Sequence, residues 1–256
     1  MKNKHSLKSL YKTLLFLLLG LLFSCVCCNK KYKHGISYLS LVAGDEVKKT
    51  GKLIQGLPLG LNKIFYNFST IDTVIIAVHG YGSLGHEWVY PLKYMAESKK
   101  QVFYYRWNWN RCPKSATKSL LSSLKKLFKK YPTIKHIIVF GHSYGGIIAA
   151  NLIDDPLGSV EIHSVAAPLS GYPKFNKKCP DWPDYEKMNL INSFTQWRTQ
   201  HKQDGAFMSL VVDPQGVSVR GGSVVQLPDS INGRRLGHNR SISYVVNKYF
   251  EKQSKF

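Results

Sequence analysis

Acidic residues are scarce in this chain. Fifteen Asp and Glu stand against 36 Lys and Arg over 256 residues, a formal net charge of +21. An excess of that size favours anionic surfaces, either membrane headgroups or nucleic acid. No nucleic-acid-binding motif accompanies it, so nucleic acid is not an expected partner and the charge reads as membrane-proximal. Cysteines are also few, five in all. None stands at the paired spacing with histidines that a structural zinc site needs, so no metal is expected. No segment repeats and none is low in complexity, which leaves a single globular domain as the simplest organisation. Long apolar runs are lacking too. The best candidate, Leu14 to Phe23, is too short to cross a bilayer comfortably.

That run does have a setting. Lys2, Lys4, Lys8 and Lys12 precede it, giving the positive n-region and apolar h-region of an export signal. Leu22-Phe23-Ser24-Cys25 follows and resembles the lipobox of bacterial lipoproteins, in which a small residue precedes the cysteine that is lipidated. The resemblance implies a signal over 1–24, lipidation at Cys25 and a tether over 25–34 that carries Lys30, Lys31 and Lys33. An exported, membrane-anchored lipoprotein is the expectation. A secreted or periplasmic protein with an ordinary signal peptide, or an uncleaved anchor through Val26-Cys27-Cys28, remains open. Residues 35–256 suffice for one sizeable α/β domain. Cys112 and Cys179 each follow an expected strand, and in an oxidising compartment they either pair or stay free.

The most informative stretch is Ile137 to Ala150. Four apolar, mostly β-branched residues read as a buried strand. Gly141-His142-Ser143-Tyr144-Gly145 follows, a G-x-S-x-G pattern, and then an alanine-rich apolar segment that reads as a helix. Strand, tight turn and helix are the context a nucleophile elbow needs, with Ser143 lifted above a helix N-terminus. A second strand, Thr73 to Val78, ends in His79-Gly80-Tyr81-Gly82. A backbone N–H just after that His-Gly pair can face a carbonyl under attack, which makes the Tyr81 and Tyr144 amides the candidate oxyanion donors. His79 itself reads as a packed histidine bracing the loop.

Strands and helices alternate elsewhere. Helices are expected over His86–Lys99, Lys114–Lys130 and Ser241–Lys252, and strands over Val102–Trp107, Val160–Ala167, Leu190–Trp197 and Ser223–Leu227. Weak strands are expected over Gly35–Val42 and Ile64–Phe68. The alternation implies a mostly parallel sheet with right-handed crossovers. One face of Lys114–Lys130 carries Lys118, Lys125, Lys126, Lys129 and Lys130, either a solvated face or a patch for anionic lipid. Trp107, Trp109 and Arg111 either line an acyl pocket or cap the core. Tyr172 to Asn189 lacks a helix period and reads as a cap or lid loop over the site.

A serine hydroxyl needs a histidine to take its proton, and the histidine needs an acid to hold its tautomer. On His79-Gly80-Tyr81-Gly82, Gly141 to Gly146 and Gly237-His238, the chain from residue 73 to about 250 resembles the α/β-hydrolase superfamily, its lipases and esterases in particular. The resemblance implies a mostly parallel central sheet flanked by helices, a single domain with a small cap, and a serine ester hydrolase acting on an ester or acyl-lipid through an acyl-enzyme. Carried over by position, Ser143 is the nucleophile and His238 the general base. The acid is Asp204 if 190–197 is the family's seventh strand, or Asp213 if 208–212 is. Asp204 is preferred, because a short helix or hairpin still has to fit before the last strand. The resemblance implies no cofactor and no metal. An acyltransferase or thioesterase with the same triad, and a non-catalytic membrane-associated binding module, are the alternatives.

Overall fold

A computed structural model of the chain describes residues 34–66, 71–176, 178–179 and 181–253. The signal at 1–24, Cys25 and the tether up to residue 33 lie outside the described residues. No helix among the described residues is long and apolar enough to cross a membrane.

The strands are β1 (Gly35–Ser37), β2 (Gly60–Phe65), β3 (Thr73–Val78), β4 (Gln101–Arg106), β5 (His136–His142), β6 (Ser159–Val165), β7 (Ser193–Arg198) and β8 (Ser223–Gln226), with a small ribbon β9 (Ser230–Ile231) and β10 (Arg234–Arg235). The helices are α1 (Val47–Gln55), α2 (Val89–Glu97), α3 (Pro113–Lys130), α4 (Tyr144–Ala150), the single turn α5 (Pro173–Asn176) and α6 (Gly237–Gln253). Eight strands form one sheet in the order β1-β2-β4-β3-β5-β6-β7-β8. All neighbours run parallel except β2 and β4, which are antiparallel. The expected α/β-hydrolase architecture, a mostly parallel sheet with helices on both sides, is the one observed.

Side-chain alternation along β3 shows why both faces are covered. Val74, Ile76 and Val78 face one layer, with Leu120 and Leu124 of α3 and Ile147 and Ile148 of α4. Ile75 and Ala77 face the other, with Leu92 and Met95 of α2 and Ile242, Val245 and Val246 of α6. The strand is apolar throughout because neither face meets water.

Several expected boundaries move. The first strand stops at Ser37 and gives way to a 3-10 turn, Tyr38–Ser40, capped by the Ser37 hydroxyl. Helix α1 was not expected; only Thr50, Gly51 and Ile54 of its residues are buried, too thin an apolar stripe to read in sequence. The strand expected over Ile64–Phe68 is β2, which starts earlier, at Gly60. The last helix starts at Gly237 rather than Ser241, so His238 sits in its first turn. No strand forms over 208–212.

Candidate active site

Strands β3, β5 and β6 end level with one another, with Val78 beside Gly141 and His142 beside Val165. Strand β5 ends at His142 and α4 begins at Tyr144, so Ser143 makes the whole turn. Its backbone lies at φ 57°, ψ −125°, a sparsely populated conformation that costs about 1–3 kcal/mol and persists only when its surroundings impose it. They do so on three sides. The Ser143 N–H donates to the Val165 carbonyl at 2.8 Å, and the Gly146 N–H donates to the Ser143 carbonyl at 2.9 Å. A Cβ on Gly145 would stand 2.3 Å from the Val78 oxygen and 2.4 Å from that of His79, so only glycine lets α4 pack there. A Cβ on Gly80 would stand 2.9 Å from the Cβ of Ser143. The His79-Gly80-Tyr81 loop therefore runs directly against the serine. Tyr144, as the first helical residue, has an N–H that no carbonyl of its own helix can reach.

His79 is fully buried and acts as a brace. Its Nδ1–H donates to the Gly80 carbonyl at 2.8 Å, its Nε2 accepts from the Trp107 N–H at 3.1 Å, and the Trp107 indole N–H donates to the His79 carbonyl at 2.7 Å. Burial lowers the pKa of His79 to about 3 despite its hydrogen bonds. The ring is thus neutral, with both nitrogens committed. Trp107 stacks between His79 and Tyr144 and is buried.

At the end of β7 the chain turns through a 3-10 helix, His201–Gln203, and buries Asp204. The His238 Nδ1–H donates to Asp204 Oδ2 at 2.9 Å. Two further donors hold the same carboxylate: the Thr199 hydroxyl on Oδ2 at 2.5 Å and the Ala206 N–H on Oδ1 at 2.8 Å. Burial alone would raise the Asp204 carboxyl. The His238 partnership and these donors outweigh it and leave the pKa below the usual value. Thr199 is held in turn by Gln215, whose Oε1 accepts from the Thr199 N–H at 3.0 Å and whose Nε2 donates to the Thr199 carbonyl at 3.2 Å and to Asp213 Oδ1 at 3.1 Å. Asp213 therefore does not meet His238. It closes a turn onto the Gln215 N–H at 3.0 Å, three hydrogen bonds removed from the carboxylate that does.

His142 links the elbow to His238. Its ring packs on that of His238 with centroids 4.8 Å apart, and its Nε2–H donates to the His238 carbonyl at 3.0 Å. The Ser241 hydroxyl donates to the same carbonyl at 2.5 Å. Burial lowers the pKa of His142 to about 3 and keeps it neutral. Ser143, next in the chain, and His238 are thus brought to one end of the sheet. No hydrogen bond joins their side chains in this structure; such contacts in unliganded sites are often long and tighten around substrate.

The expected lid is a fastened cap. Phe175 of α5 packs its ring 4.6 Å from that of Tyr81 and 4.7 Å from that of Tyr144. Cys179 forms a disulfide with Cys112 at the head of α3. The Trp182 indole N–H donates to the Leu169 carbonyl and the Tyr185 hydroxyl to Asn151 Oδ1, each at 2.8 Å. Among the described residues no group of three or more His, Cys, Asp or Glu is arranged to hold a metal ion.

Thr199, Gln215 and His142 were not singled out in the sequence as site residues. His142 is the variable position of G-x-S-x-G, and its role depends on where residue 238 lands. Thr199 and Gln215 carry no sequence signal, since what marks them is a hydrogen bond to a residue that the fold delivers.

No family model and no curated protein matches the sequence. Solved structures do. A metagenome-derived lipolytic enzyme, from work on the enzymes LipS and LipT, is 10% identical with a TM-score of 0.50, over 77% of this chain and 98% of that one. An esterase of Pyrococcus furiosus is 11% identical with a TM-score of 0.48, over 87% and 97%. The acylaminoacyl peptidase of Pyrococcus horikoshii is 13% identical with a TM-score of 0.47 over 77% of this chain, which spans only 42% of that enzyme. At these identities the likeness concerns the fold, and the chain has the α/β-hydrolase fold.

Proposed function

We propose that this chain, folded as an α/β hydrolase, is a serine hydrolase that cleaves carboxylic esters, with acyl-lipids as the substrate class. One observation carries the reading. The 2.9 Å bond from His238 Nδ1 to the buried Asp204 lies at the same sheet end as a serine held in strained backbone. That bond fixes the imidazole tautomer and leaves Nε2 as the proton acceptor. Ser143 Oγ attacks the ester carbonyl carbon as its proton passes to His238 Nε2. The carbonyl oxygen becomes an oxyanion beside the Tyr81 and Tyr144 amides. The imidazolium then protonates the departing alkoxide, and water activated by the same nitrogen releases the acid. Similarity in fold to esterases and lipolytic enzymes is in keeping with this chemistry. A fluorophosphonate probe should label the protein, and p-nitrophenyl butyrate should be hydrolysed. Both signals should vanish in Ser143→Ala; equal labelling of that variant sinks the assignment.

We also propose that the protein is exported from the reducing cytosol and anchored at a membrane through Cys25. The Cys112–Cys179 disulfide supports this, as does the apolar run Leu14 to Phe23 after its lysines. Metabolic labelling with an alkyne fatty acid should mark the protein and should be lost in Cys25→Ser. Unchanged labelling of that variant removes Cys25 as the lipidated residue.

A further inference from the structure

The loop that follows Asp204 ends where water should be least welcome to it. Phe207 is buried under the His238 ring, with centroids 5.0 Å apart. Beyond it the chain turns outward through Met208-Ser209-Leu210-Val211-Val212. Met208 is 48% exposed, Val211 96% and Val212 74%. The loop is firmly rooted at both ends: the Met208 N–H donates to the Asp204 carbonyl and the Leu210 N–H to that of Phe207, each at 2.8 Å, and the Pro214 carbonyl accepts from the Ser170 N–H and hydroxyl, each at 2.9 Å. Single exposed apolar residues are ordinary, but three within five residues at a loop tip are a contact surface in waiting. A cleft of about 470 Å3 joins the root of this loop, at Gly205 and Ala206, to His238 and to Arg235 and Arg240, both exposed. No acidic residue lies between Asp204 and Asp213, and Asp213 is engaged by Gln215.

We propose that this rim docks on an anionic lipid bilayer, with the 208–212 tip among the acyl chains and Arg235 and Arg240 on headgroup phosphates. Apolar tips with cationic flanks suit that boundary, since each part meets its preferred medium at once. A second copy of this chain is disfavoured as the occupant, because the approach would set arginine against arginine on molecules of like net charge. The inference deepens the hydrolase reading by naming the surface from which substrate is drawn, yet it stands on exposure and charge alone.

The test uses full-length protein carrying Ser143→Ala, so that it is independent of catalysis. Val211→Trp is added, and its emission is compared with that of the parent in vesicles of phosphatidylcholine and phosphatidylglycerol with brominated acyl chains. The emission gained should shift to the blue and be quenched, more strongly than in vesicles of phosphatidylcholine alone. Met208→Trp provides a second reporter from the base of the tip and should be quenched less. Added emission that stays unquenched and water-like in both vesicles overturns the proposal. So does a blue shift without lipid that grows with protein concentration or on adding DNA, since it assigns the loop to another occupant.

Discussion

The Thr199 hydroxyl and His238 Nδ1 meet on one oxygen, Oδ2 of Asp204. A carboxylate that accepts two such donors keeps its charge and its orientation, and it steadies an imidazolium beside it. Thr199→Val has nearly the same shape but no donor. With one donor gone, the carboxylate is held less firmly beneath the imidazole, so kcat/KM should fall by about tenfold at neutral pH. Thr199→Ser should restore it. An unchanged kcat/KM in Thr199→Val would make Thr199 a packing residue only.

The two aspartates once in competition should separate cleanly. Asp204→Asn keeps the shape but cannot hold the same tautomer, so kcat should fall by roughly a thousandfold or more. Asp213→Asn removes the charge but keeps an amide oxygen to accept from Gln215, and it reaches Asp204 only through Gln215 and Thr199, so the loss should stay within about tenfold. Steady-state rates on a soluble ester decide this, and comparable losses would contradict the geometry.

The backbone strain at Ser143 should be measurable as stability. Glycine adopts a φ of 57° without a Cβ penalty, whereas alanine does not. Ser143→Gly should therefore unfold at higher denaturant than Ser143→Ala, by about 1 kcal/mol. Both variants are inactive under the proposed mechanism, so the comparison isolates the conformational term. Equal urea midpoints would mean that the turn is not strained.

Acid should weaken the fold before the carboxylates titrate. His79 and His142 have pKa values lowered to about 3 by burial, against 6.5 for an unfolded histidine. Between those values the unfolded chain binds protons that the folded chain refuses. Stability therefore falls as pH drops below 6.5, by about 1.4 kcal/mol per pH unit for each histidine once the unfolded side chains are protonated. Urea unfolding at pH 7, 6 and 5 should show this slope, and a flat line over that window would refute it. Glu161 behaves in the carboxylate sense. Despite burial, hydrogen bonds from His163 and Tyr249 lower it to about 2, so its contribution is complete above an ordinary carboxylate pKa and is lost only as pH falls toward 2.

Removing the disulfide should loosen the cap as well as the fold. The bond closes 67 residues, and a chain-entropy account gives such a closure about 4 kcal/mol. A Cys112→Ala/Cys179→Ala double variant should lose stability of that order, and hydrogen exchange should rise first across α5. Unchanged exchange there would show that Trp182 and Tyr185 hold the cap without help.

The strand–turn–helix around Ser143, the strand–helix alternation and the chain order of Ser143, Asp204 and His238 are legible in the sequence. Each of these is written locally: a β-branched run, glycines around a serine, a helix period over Lys114–Lys130. Only the tertiary structure shows that Asp204 and not Asp213 reaches His238, because that depends on which carboxylate lies within 3 Å of a ring 34 residues away. It also decided that Thr199 and Gln215 stand behind that carboxylate and that Cys112 meets Cys179. The run at 208–212 shows the reason most directly. Its apolar composition favours a buried strand, yet among the described residues it pairs with none, and Met208, Val211 and Val212 stand exposed. Local composition sets what a segment prefers, and only the packed sheet determines whether a partner is there to receive it.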